Sequence, residues 1–458
     1  MTPAQDRPAR LAGVTVVVLA AGAGSRMHSA QPKVLHPLLG RPMALWTLDA
    51  ARLAGVASSV VVLSPATEAL RAELPAETLV AVQAEPRGTG DAVRNALAVL
   101  PRGVTELVIA CGDTPLLTPA DILGVIEARA ATNGPLALAA FVANDPTGYG
   151  RVACNDEGQA LSVVEERDAT EEERELDLVN AGLYAVDRAW LDQQITALAP
   201  SAASGEIYLT DLVAAAARAG TPAGLYVGDA SELEGVNDRR QFADAAAGLR
   251  ERINDAHMAA GVLILDPTTA WIEPSVTIAP DAVIEPGVAL SGTTTIGARS
   301  RIGSHSSIID SLIGADCVIT ASTVEGSTLH DAVDVGPYAH VRPGCEIESK
   351  VHIGNFAELK SARVRAGAKV GHHSYLGDVE IGAGANIGAG TITANYDGKE
   401  KHATVIGEGV FTGVGTLLVA PVVMGAGSKS GAGAVITTDV KPGDLVVGVP
   451  ARSLSKAE

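Results

Sequence analysis

Two cations lie within and just after a glycine-rich turn near the start of the chain. The turn reads AAGAGSRM and contains Arg26, and Lys33 lies in the segment PKVLH that follows it. Glycines let backbone N–H groups approach a phosphate closely, and neighbouring cations stabilise its negative charge. The spacing matches neither the GxGxxG of dinucleotide-binding folds nor the GxxxxGK of a P-loop. The residues alone therefore predict a phosphate site, with an ordinary strand-to-helix turn as the alternative.

A single carboxylate occupies a second position that suits phosphate chemistry. Asp113 lies in the segment CGDTPL, directly after the apolar residues 107–110. Open α/β sheets bind ligands just beyond the carboxyl ends of their strands. A carboxylate near phosphates predicts Mg²⁺, which takes one or two carboxylates together with phosphate oxygens. The alternative is that Asp113 caps the turn that follows it.

Two adjacent histidines, His372 and His373, lie in the segment GHHSYLGD of the second half. Histidine is the side chain best suited to accept a proton near neutral pH. The residue types alone leave two readings open, a catalytic base or a pair of histidines exposed at a corner of a repeat structure.

The elements that must position Arg26, Lys33 and Asp113 alternate between strands and helices. We predict strands at residues 14–19, 60–63, 80–83 and 107–110, and a helix at residues 44–53. Continuous β-branched runs are typical of buried parallel strands, and the alternation predicts a mostly parallel α/β sheet. The run VTVVVLAAGA after Arg7 and Arg10 also resembles a signal peptide, but the organised residues that follow it favour a buried strand.

The second half repeats with a period of six residues. Aliphatic side chains occupy every sixth position from Ile272 to Ile308. A helix repeats every 3.6 residues and a simple strand every 2, so this period indicates a hexapeptide repeat rather than an irregular glycine-rich region. Three short strands close one coil of roughly 18 residues, which predicts a rod of about ten coils over residues 271–449.

Two further features concern the connections. The repeat is interrupted between Ile387 and Ile406, and an insertion in a solenoid projects as a loop, often on the binding face; it holds Lys399, Lys401 and His402. Apolar residues at helical spacing before Met258 predict a linker helix between the sheet and the rod.

Composition excludes several classes of protein. The net charge of the 458 residues is −19, which disfavours a general nucleic-acid partner. Four cysteines stand far apart without a CxxC pair, so neither a zinc site nor a disulfide framework is expected. No stretch reaches the roughly 20 apolar residues of a membrane span. We therefore expect a cytoplasmic protein with no membrane partner.

An ordered set of motifs resembles a known family. LAAGAGSRM, PKVLH, GTGDA, GDTPLL, PTGYGR, SGEIYLTD and EGVNDR are similar to sugar-1-phosphate nucleotidyltransferases, and the rod adds RPG, GNFAELK, GHHSYLGD, NIGAGTITANYDG and VAPV. Together they resemble the bacterial bifunctional N-acetylglucosamine-1-phosphate uridylyltransferases and glucosamine-1-phosphate acetyltransferases. The resemblance implies a Rossmann-like uridylyltransferase domain at 1–236, a linker helix at 237–260, and a left-handed β-helix acetyltransferase domain with a C-terminal tail at 261–458.

The family implies a first site that joins UTP to N-acetylglucosamine 1-phosphate and releases pyrophosphate. Arg26 and Lys33 would stabilise charge on the phosphates, and Asp113 and Asn237 match the Mg²⁺ ligands. The residues that match contacts to the nucleotide or the sugar are Leu19, Ala20, Ala21, Gly22, Lys33, Gln83, Gly88, Thr89, Gly150, Glu165, Asn180 and Asn237.

The family also implies a second site, which acetylates glucosamine 1-phosphate with acetyl-CoA. His372 matches its catalytic base. Residues that match the sugar-phosphate pocket are Arg342, Lys360, Tyr375 and Asn386, and residues that match acetyl-CoA contacts are Ala389, Asn395, Tyr396, Val414, Ala432 and Arg452. Asn386, Asn395 and Tyr396 also match sugar- and base-positioning roles. A family serine is replaced by Val414, and a family arginine aligns with Gly448, with Arg452 following.

The resemblance further implies a homotrimer that supplies UDP-N-acetylglucosamine for peptidoglycan and lipopolysaccharide, and hence for cell-wall biogenesis and cell shape. Two alternatives predict different residues. A nucleotidyltransferase with a purely structural rod would lack a base and a phosphate clamp in the rod. A scaffold with a degenerate nucleotide-binding domain would have lost Arg26, Lys33, Asp113 or Asn237, and all four are present.

Overall fold

The computed structural model describes residues 11–22, 24–56, 58–202 and 204–454, so Arg7 and Arg10 lie outside the described residues. The chain forms two compact units, Met1–Gly248 and Leu249–Glu458. Throughout the described part of the chain, every helix is too short or too polar to cross a lipid bilayer.

The first unit is built on a twisted sheet. Its strands, with the small β2–β3 hairpin, are β1 (Val14–Leu19), β2 (Pro37–Leu38), β3 (Arg41–Pro42), β4 (Ser58–Leu63), β5 (Leu79–Val82), β6 (Glu106–Cys111), β7 (Leu136–Val142), β8 (Arg151–Cys154), β9 (Ala160–Val164), β10 (Leu178–Asp187) and β11 (Gly224–Val227). The strand order is β11-β7-β10-β6-β1-β4-β5, with the β8–β9 hairpin beside β10. Strand β10 runs antiparallel to β6 and β7, and the other neighbours in that order are parallel.

Helices connect the strands of this unit, and a last helix follows its final strand. They are α1 (Met43–Ala54), α2 (Thr89–Leu97), α3 (Pro119–Thr132), α4 (Glu171–Arg174), α5 (Arg188–Gln194), α6 (Asp211–Arg218), α7 (Ala230–Leu233) and α8 (Arg239–Ala259). Alternate residues of β1 pack into different cores, Val16 and Val18 into one and Val17 into the other. A central strand that is buried on both faces reads as the unbroken apolar run seen in the sequence.

The second unit is a parallel β-helix with three faces. Strands on the first face are Leu263–Ile264, Val283–Ile284, Arg301–Ile302, Val318–Ile319, Asp334–Val335, His352–Asn355, Lys369–His372, Asn386–Ile387, Lys429–Ser430 and Leu445–Val447. Strands on the other two faces are Trp271–Ile272, Thr277–Ile278, Ala289–Ser291, Thr295–Ile296, Ser307–Ile309, Leu312–Ile313, Thr323–Glu325, Thr328–Leu329, His340–Val341, Glu346–Ile347, Glu358–Val364, Tyr375–Ile381, Ile392–Ala394, Thr404–Ile406, Leu417–Val419, Val422–Met424 and Val435–Ile436. Arg452–Ser453 closes the unit by pairing antiparallel with Leu445–Val447.

The length of each coil explains why the period of six is interrupted. Thr277 pairs with Thr295 after a full-length coil, whereas Ser307 pairs with Thr323 after a shorter one. The coil that joins Ile392 to Leu417 is much longer than either, because it contains the predicted insertion. Ile, Val and Leu side chains fill the interior of all these coils. The predicted architecture, a mostly parallel α/β sheet followed by a β-helix of hexapeptide repeats, is therefore confirmed.

Candidate functional sites

A cavity of about 650 Å³ opens in the first unit beside the carboxyl ends of β1 and β6. A second cavity shares its wall and extends it toward β10. Between them, the two cavities are lined by the predicted residues Leu19, Ala21, Gly22, Arg26, Lys33, Gln83, Gly88, Thr89, Asp113, Gly150, Glu165, Asn180 and Asn237. Ala20 does not line them, because it is fully buried and its N–H donates to the Val62 carbonyl at 3.0 Å.

Four predicted residues converge in this cavity. The Lys33 ammonium forms an ion pair with the Asp113 carboxylate and donates to Asn237 Oδ1 at 3.1 Å. Arg26 donates to the same amide oxygen at 2.8 Å. The Lys33 side chain is only 11% exposed, so its charge is partly desolvated beside Asp113. Strand β1 leads into the turn that contains Arg26 and then into the segment that contains Lys33. Strand β6 ends just before Asp113, and the segment before α8 supplies Asn237.

The oxygen atoms of Asp113 and Asn237 both contact the Lys33 ammonium, so they face one small volume. A carboxylate and an amide oxygen are hard ligands of the kind that Mg²⁺ prefers. In the part of the chain that the structure describes, no group of three or more His, Cys, Asp or Glu is placed to hold a metal ion. Two protein ligands are nevertheless enough for an ion that is also bound by substrate phosphates. These residues fit Mg²⁺.

The side of the cavity that is predicted to take the nucleotide is held by contacts between distant loops. Gln83 Nε2 donates to the Gly88 carbonyl at 3.0 Å and to Asp91 Oδ2 at 2.9 Å. Gly88 has φ +100°, and a Cβ there would lie 2.6 Å from the Ile207 carbonyl oxygen. Thr89 Oγ1 accepts the Leu209 N–H at 3.0 Å. Gly88 is therefore required by both its backbone angle and the close approach of Ile207.

The side that is predicted to take the sugar is formed by β9, β10 and the turn before β8. The Asn180 N–H donates to the Gly150 carbonyl at 2.8 Å, and Asn180 Nδ2 donates to the Tyr184 hydroxyl at 2.7 Å. Thr210 donates to Glu165 Oε1 at 3.0 Å. Burial, more than any neighbouring group, raises the pKa of Glu165. A carboxylate held this way is an acceptor suited to sugar hydroxyls, since it is partly desolvated and already oriented.

Other lining residues were not predicted from the sequence. Gly148, Glu166, Arg167, Glu206 and Tyr208 face the cavity, and Cys111 lies between the two cavities. Burial raises the pKa of the Cys111 thiol to about 12, so it remains a neutral thiol. In the sequence, the β8–β9 hairpin and the loop before α6 contain turn residues, but they have no pattern of charges that indicates a binding site.

In the second unit, a cluster of cations lies on one face of the rod. Arg342 and Lys360 follow the paired residues of neighbouring coils, and Arg342 donates to Glu358 at 2.9 Å. The ammonium of Lys401, more than any other neighbour, lowers the pKa of Lys360. Tyr375 stands one coil further along this face. Lys401 belongs to the insertion. The sequence analysis predicted a projecting loop there but did not include Lys401 among the residues of the sugar-phosphate pocket.

A column of residues at one corner begins with the predicted base. The His372 carbonyl accepts the Gly390 N–H, the Ala389 carbonyl accepts the Gly415 N–H, and the Val414 carbonyl accepts the Gly433 N–H. His372, Ala389, Val414 and Ala432 therefore occupy equivalent positions in successive coils. His372 is exposed and shortly precedes Tyr375, across the corner.

The remaining predicted residues of this unit are spread along the rod. Asn395 donates to Asp378, and its Nδ2 lies beside Gly377, as does the Tyr375 hydroxyl. Tyr396 is exposed and bridges to Lys401 within the insertion. Asn386 is exposed on the first face. Arg452 lies in the closing strand and Gly448 in the turn before it, at φ +92°.

Comparison with known proteins gives the same two parts. Residues 16–179 match the family model for a MobA-like NTP transferase domain, and residues 298–389 match the model for a GlmU-like C-terminal hexapeptide. The chain is 43% identical over 437 residues to the bifunctional protein GlmU of Heliobacterium modesticaldum, covering 94% of this chain and 95% of that protein. The chain belongs to the GlmU family.

Further GlmU relatives cover the chain equally well. The bifunctional protein GlmU of Sorangium cellulosum is 43% identical over 444 residues, covering 95% of this chain and 93% of that protein. The corresponding protein of Mycolicibacterium vanbaalenii is 40% identical over 441 residues, covering 94% and 90%. The predicted family is confirmed, and so is the prediction of a bifunctional enzyme with nucleotidyltransferase and acetyltransferase activities in cell-wall precursor synthesis.

Proposed function

We propose that the chain makes UDP-N-acetylglucosamine in two steps at two separate sites. Acetyl-CoA first acetylates glucosamine 1-phosphate in the rod, and UTP then uridylylates the product in the α/β unit. The observation that carries the proposal is the presence of two separate cation clusters for phosphate, Arg26 with Lys33 in one unit and Arg342 with Lys360 in the other. A rod with a purely structural role would not need the Arg342 and Lys360 cluster.

In the uridylyl step, a phosphate oxygen of N-acetylglucosamine 1-phosphate attacks the α-phosphorus of UTP. A new P–O bond forms, the bond between the α- and β-phosphates breaks, and pyrophosphate leaves. Arg26 and Lys33 would stabilise the charge that develops on the phosphates, and Gly150, Glu165 and Asn180 would hold the sugar. Asp113 and Asn237 would hold Mg²⁺, which when bound neutralises phosphate charge. No protein nucleophile is needed, because positioning and electrostatics can carry this transfer.

In the acetyl step, the amine of glucosamine 1-phosphate attacks the thioester carbonyl of acetyl-CoA. A C–N bond forms and the C–S bond breaks, while His372 removes a proton from the amine and the sulfur leaves as the CoA thiol after protonation. Arg342, Lys360, Tyr375 and Asn386 would bind the sugar phosphate. Ala389, Asn395, Tyr396, Val414, Ala432 and Arg452 would contact acetyl-CoA. Lys401 joins the phosphate cluster by its proximity to Lys360.

We assign residues 1–236 to uridylyl transfer, 237–260 to a linker and 261–458 to acetyl transfer. The division between the compact units falls inside α8, after Gly248. We also propose that the enzyme acts in the cytoplasm as a homotrimer. Ile392, Leu417 and Val419 support a trimer, because they are large apolar side chains exposed on one face of the rod. Light scattering after gel filtration should give three times the chain mass of 46.5 kDa.

The test follows the two products separately. The protein is mixed with glucosamine 1-phosphate, acetyl-CoA, UTP and Mg²⁺, and free thiol and pyrophosphate are measured. Both should appear, and omission of acetyl-CoA should abolish both. N-acetylglucosamine 1-phosphate in place of the amino sugar should give pyrophosphate without thiol, and EDTA should stop pyrophosphate release. Pyrophosphate without any thiol under all conditions would show that the rod is a scaffold.

A further inference from the structure

Three aromatic rings stack over successive coils at one corner of the rod. Tyr338 and Phe356 have ring centroids 5.4 Å apart with planes 16° from parallel, and Phe356 and His373 have centroids 5.0 Å apart with planes 20° from parallel. Tyr338 is 63% exposed and Phe356 is 52% exposed. The stack therefore lies outside the aliphatic interior, and filling the core does not explain it.

The backbone at these three positions is unfavourable for side chains. Tyr338, Phe356 and His373 have φ of 60°, 54° and 45°, in the left-handed region, which costs a residue other than glycine about 1–2 kcal/mol. The next two coils place Gly390 and Gly415 at this corner. Each stacked pair returns about 0.5–1.5 kcal/mol. The rings thus occupy positions where glycine would relieve the backbone, and stacking offsets part of that cost.

The stack ends beside the proposed base. His372 is the last residue of its strand, and His373 follows it directly. The His373 N–H donates to the Asn355 carbonyl at 3.0 Å, and the His372 carbonyl accepts the Gly390 N–H at 3.3 Å. The peptide that joins the two histidines is therefore fixed on both sides. A shift of this peptide would displace the Cα of His372, from which the imidazole projects.

We propose that Phe356 and His373 are positioning residues for acetyl transfer. Their stacked rings hold the left-handed corner in one conformation, and this conformation directs the His372 side chain toward the amine that it deprotonates. Tyr338 supports the stack from the far side of Phe356. The inference rests on the proposed role of His372 as base, and it goes beyond that role by naming residues that act on it without contacting substrate.

The test uses three variants of the stack, a His372→Gln control and both product assays on the full-length protein. His373→Phe keeps the stack and should retain kcat for thiol release within about twofold. His373→Gly removes the ring at a position that suits glycine, so the melting temperature should stay the same or rise. Its kcat should nevertheless fall about 10-fold or more, with both KM values unchanged, because small displacements of a catalytic group are costly. Phe356→Ala should lose a similar factor in kcat and also lower the melting temperature.

Three results would overturn the proposal, and they are distinguishable. Wild-type kcat in His373→Gly would show that the stack does not position the base. Loss of activity in His373→Phe would show that the His373 imidazole itself takes part. Full thiol release by a His372→Gln control would overturn the proposed role of His372 and the positioning role with it. Pyrophosphate release from N-acetylglucosamine 1-phosphate should be the same in all variants, since the uridylyl site lies in the other unit.

Discussion

Gly88→Ala should damage uridylyl transfer for a reason that can be read from distances. An added Cβ would lie 2.6 Å from the Ile207 carbonyl oxygen, 2.8 Å from the Ile207 nitrogen and 3.1 Å from Glu206 Cβ. All three atoms belong to backbone or to the base of a side chain, so the two loops must separate. The Ile207 N–H bond to the Arg87 carbonyl and the Gly90 N–H bond to the Ile207 carbonyl, both 2.8 Å long, join these loops and would be strained.

The expected loss has two parts. The left-handed φ of Gly88 costs alanine about 1–3 kcal/mol, and two weakened hydrogen bonds cost about 1 kcal/mol each. Gly103→Ala is a matched control, because Gly103 has φ +90° but no atom within 4 Å of the added Cβ. The difference between the variants should therefore be about 2 kcal/mol, or roughly a 30-fold lower kcat/KM for UTP in Gly88→Ala.

The assay is pyrophosphate release at varied UTP and saturating N-acetylglucosamine 1-phosphate. Thiol release from acetyl-CoA serves as an internal control and should be unchanged in both variants. If the two variants differ by less than about threefold in kcat/KM for UTP, less than about 0.7 kcal/mol separates them, and the contact between the Gly88 and Ile207 loops does not shape the nucleotide site.

Three more predictions follow from the sites. Burial raises the pKa of Glu165, so the native state holds that proton more tightly than the unfolded state, and the stability of the protein falls as pH rises from the ordinary glutamate pKa toward the raised one. Glu165→Gln should therefore raise the melting temperature at pH 8 but not at a pH well below the ordinary glutamate pKa. An equal rise at both pH values would contradict this reasoning. Lys401→Ala should raise KM for glucosamine 1-phosphate about 10-fold without changing KM for acetyl-CoA, while Lys399→Ala in the same loop should change neither KM. Equal effects of the two variants would show that Lys401 does not bind the sugar phosphate. With a pKa of about 12, Cys111 should react with iodoacetamide more slowly at pH 8 in the native protein than the exposed Cys154, as measured by mass spectrometry. Labelling of both at one rate would show that the pKa of the Cys111 thiol is not raised in this way.

The sequence was most informative where one local rule decides the structure. A period of six can be satisfied only by short strands that each direct one aliphatic residue inward, so Ile272 to Ile308 predicted the β-helix. The position of Asp113 after an apolar strand predicted its place at the end of β6. The direction of β10 was not predictable, because an antiparallel strand buried within a parallel sheet has the same apolar pattern as its neighbours.

The sites were less predictable where distant segments meet. Nothing in the spacing brings Ile207 against Gly88, since the loops join through the packing of α2 and the segment before α6. Lys401 reaches Lys360 only because the coil that contains the insertion is long enough to return to the same face. The stacked corner of Tyr338, Phe356 and His373 was equally hidden, because residues one coil apart can be matched only after the length of each coil is known.

The separation of the two activities by paired substitutions tests the central claim most directly. Two assays are made on each of the variants Asp113→Asn and His372→Gln. Thiol release is measured with acetyl-CoA and glucosamine 1-phosphate, and pyrophosphate release is measured with UTP and N-acetylglucosamine 1-phosphate. We predict that Asp113→Asn loses pyrophosphate release about 100-fold and keeps thiol release, and that His372→Gln shows the reverse. If either variant lost both activities while remaining folded, or kept both, the assignment of one reaction to each unit would be wrong.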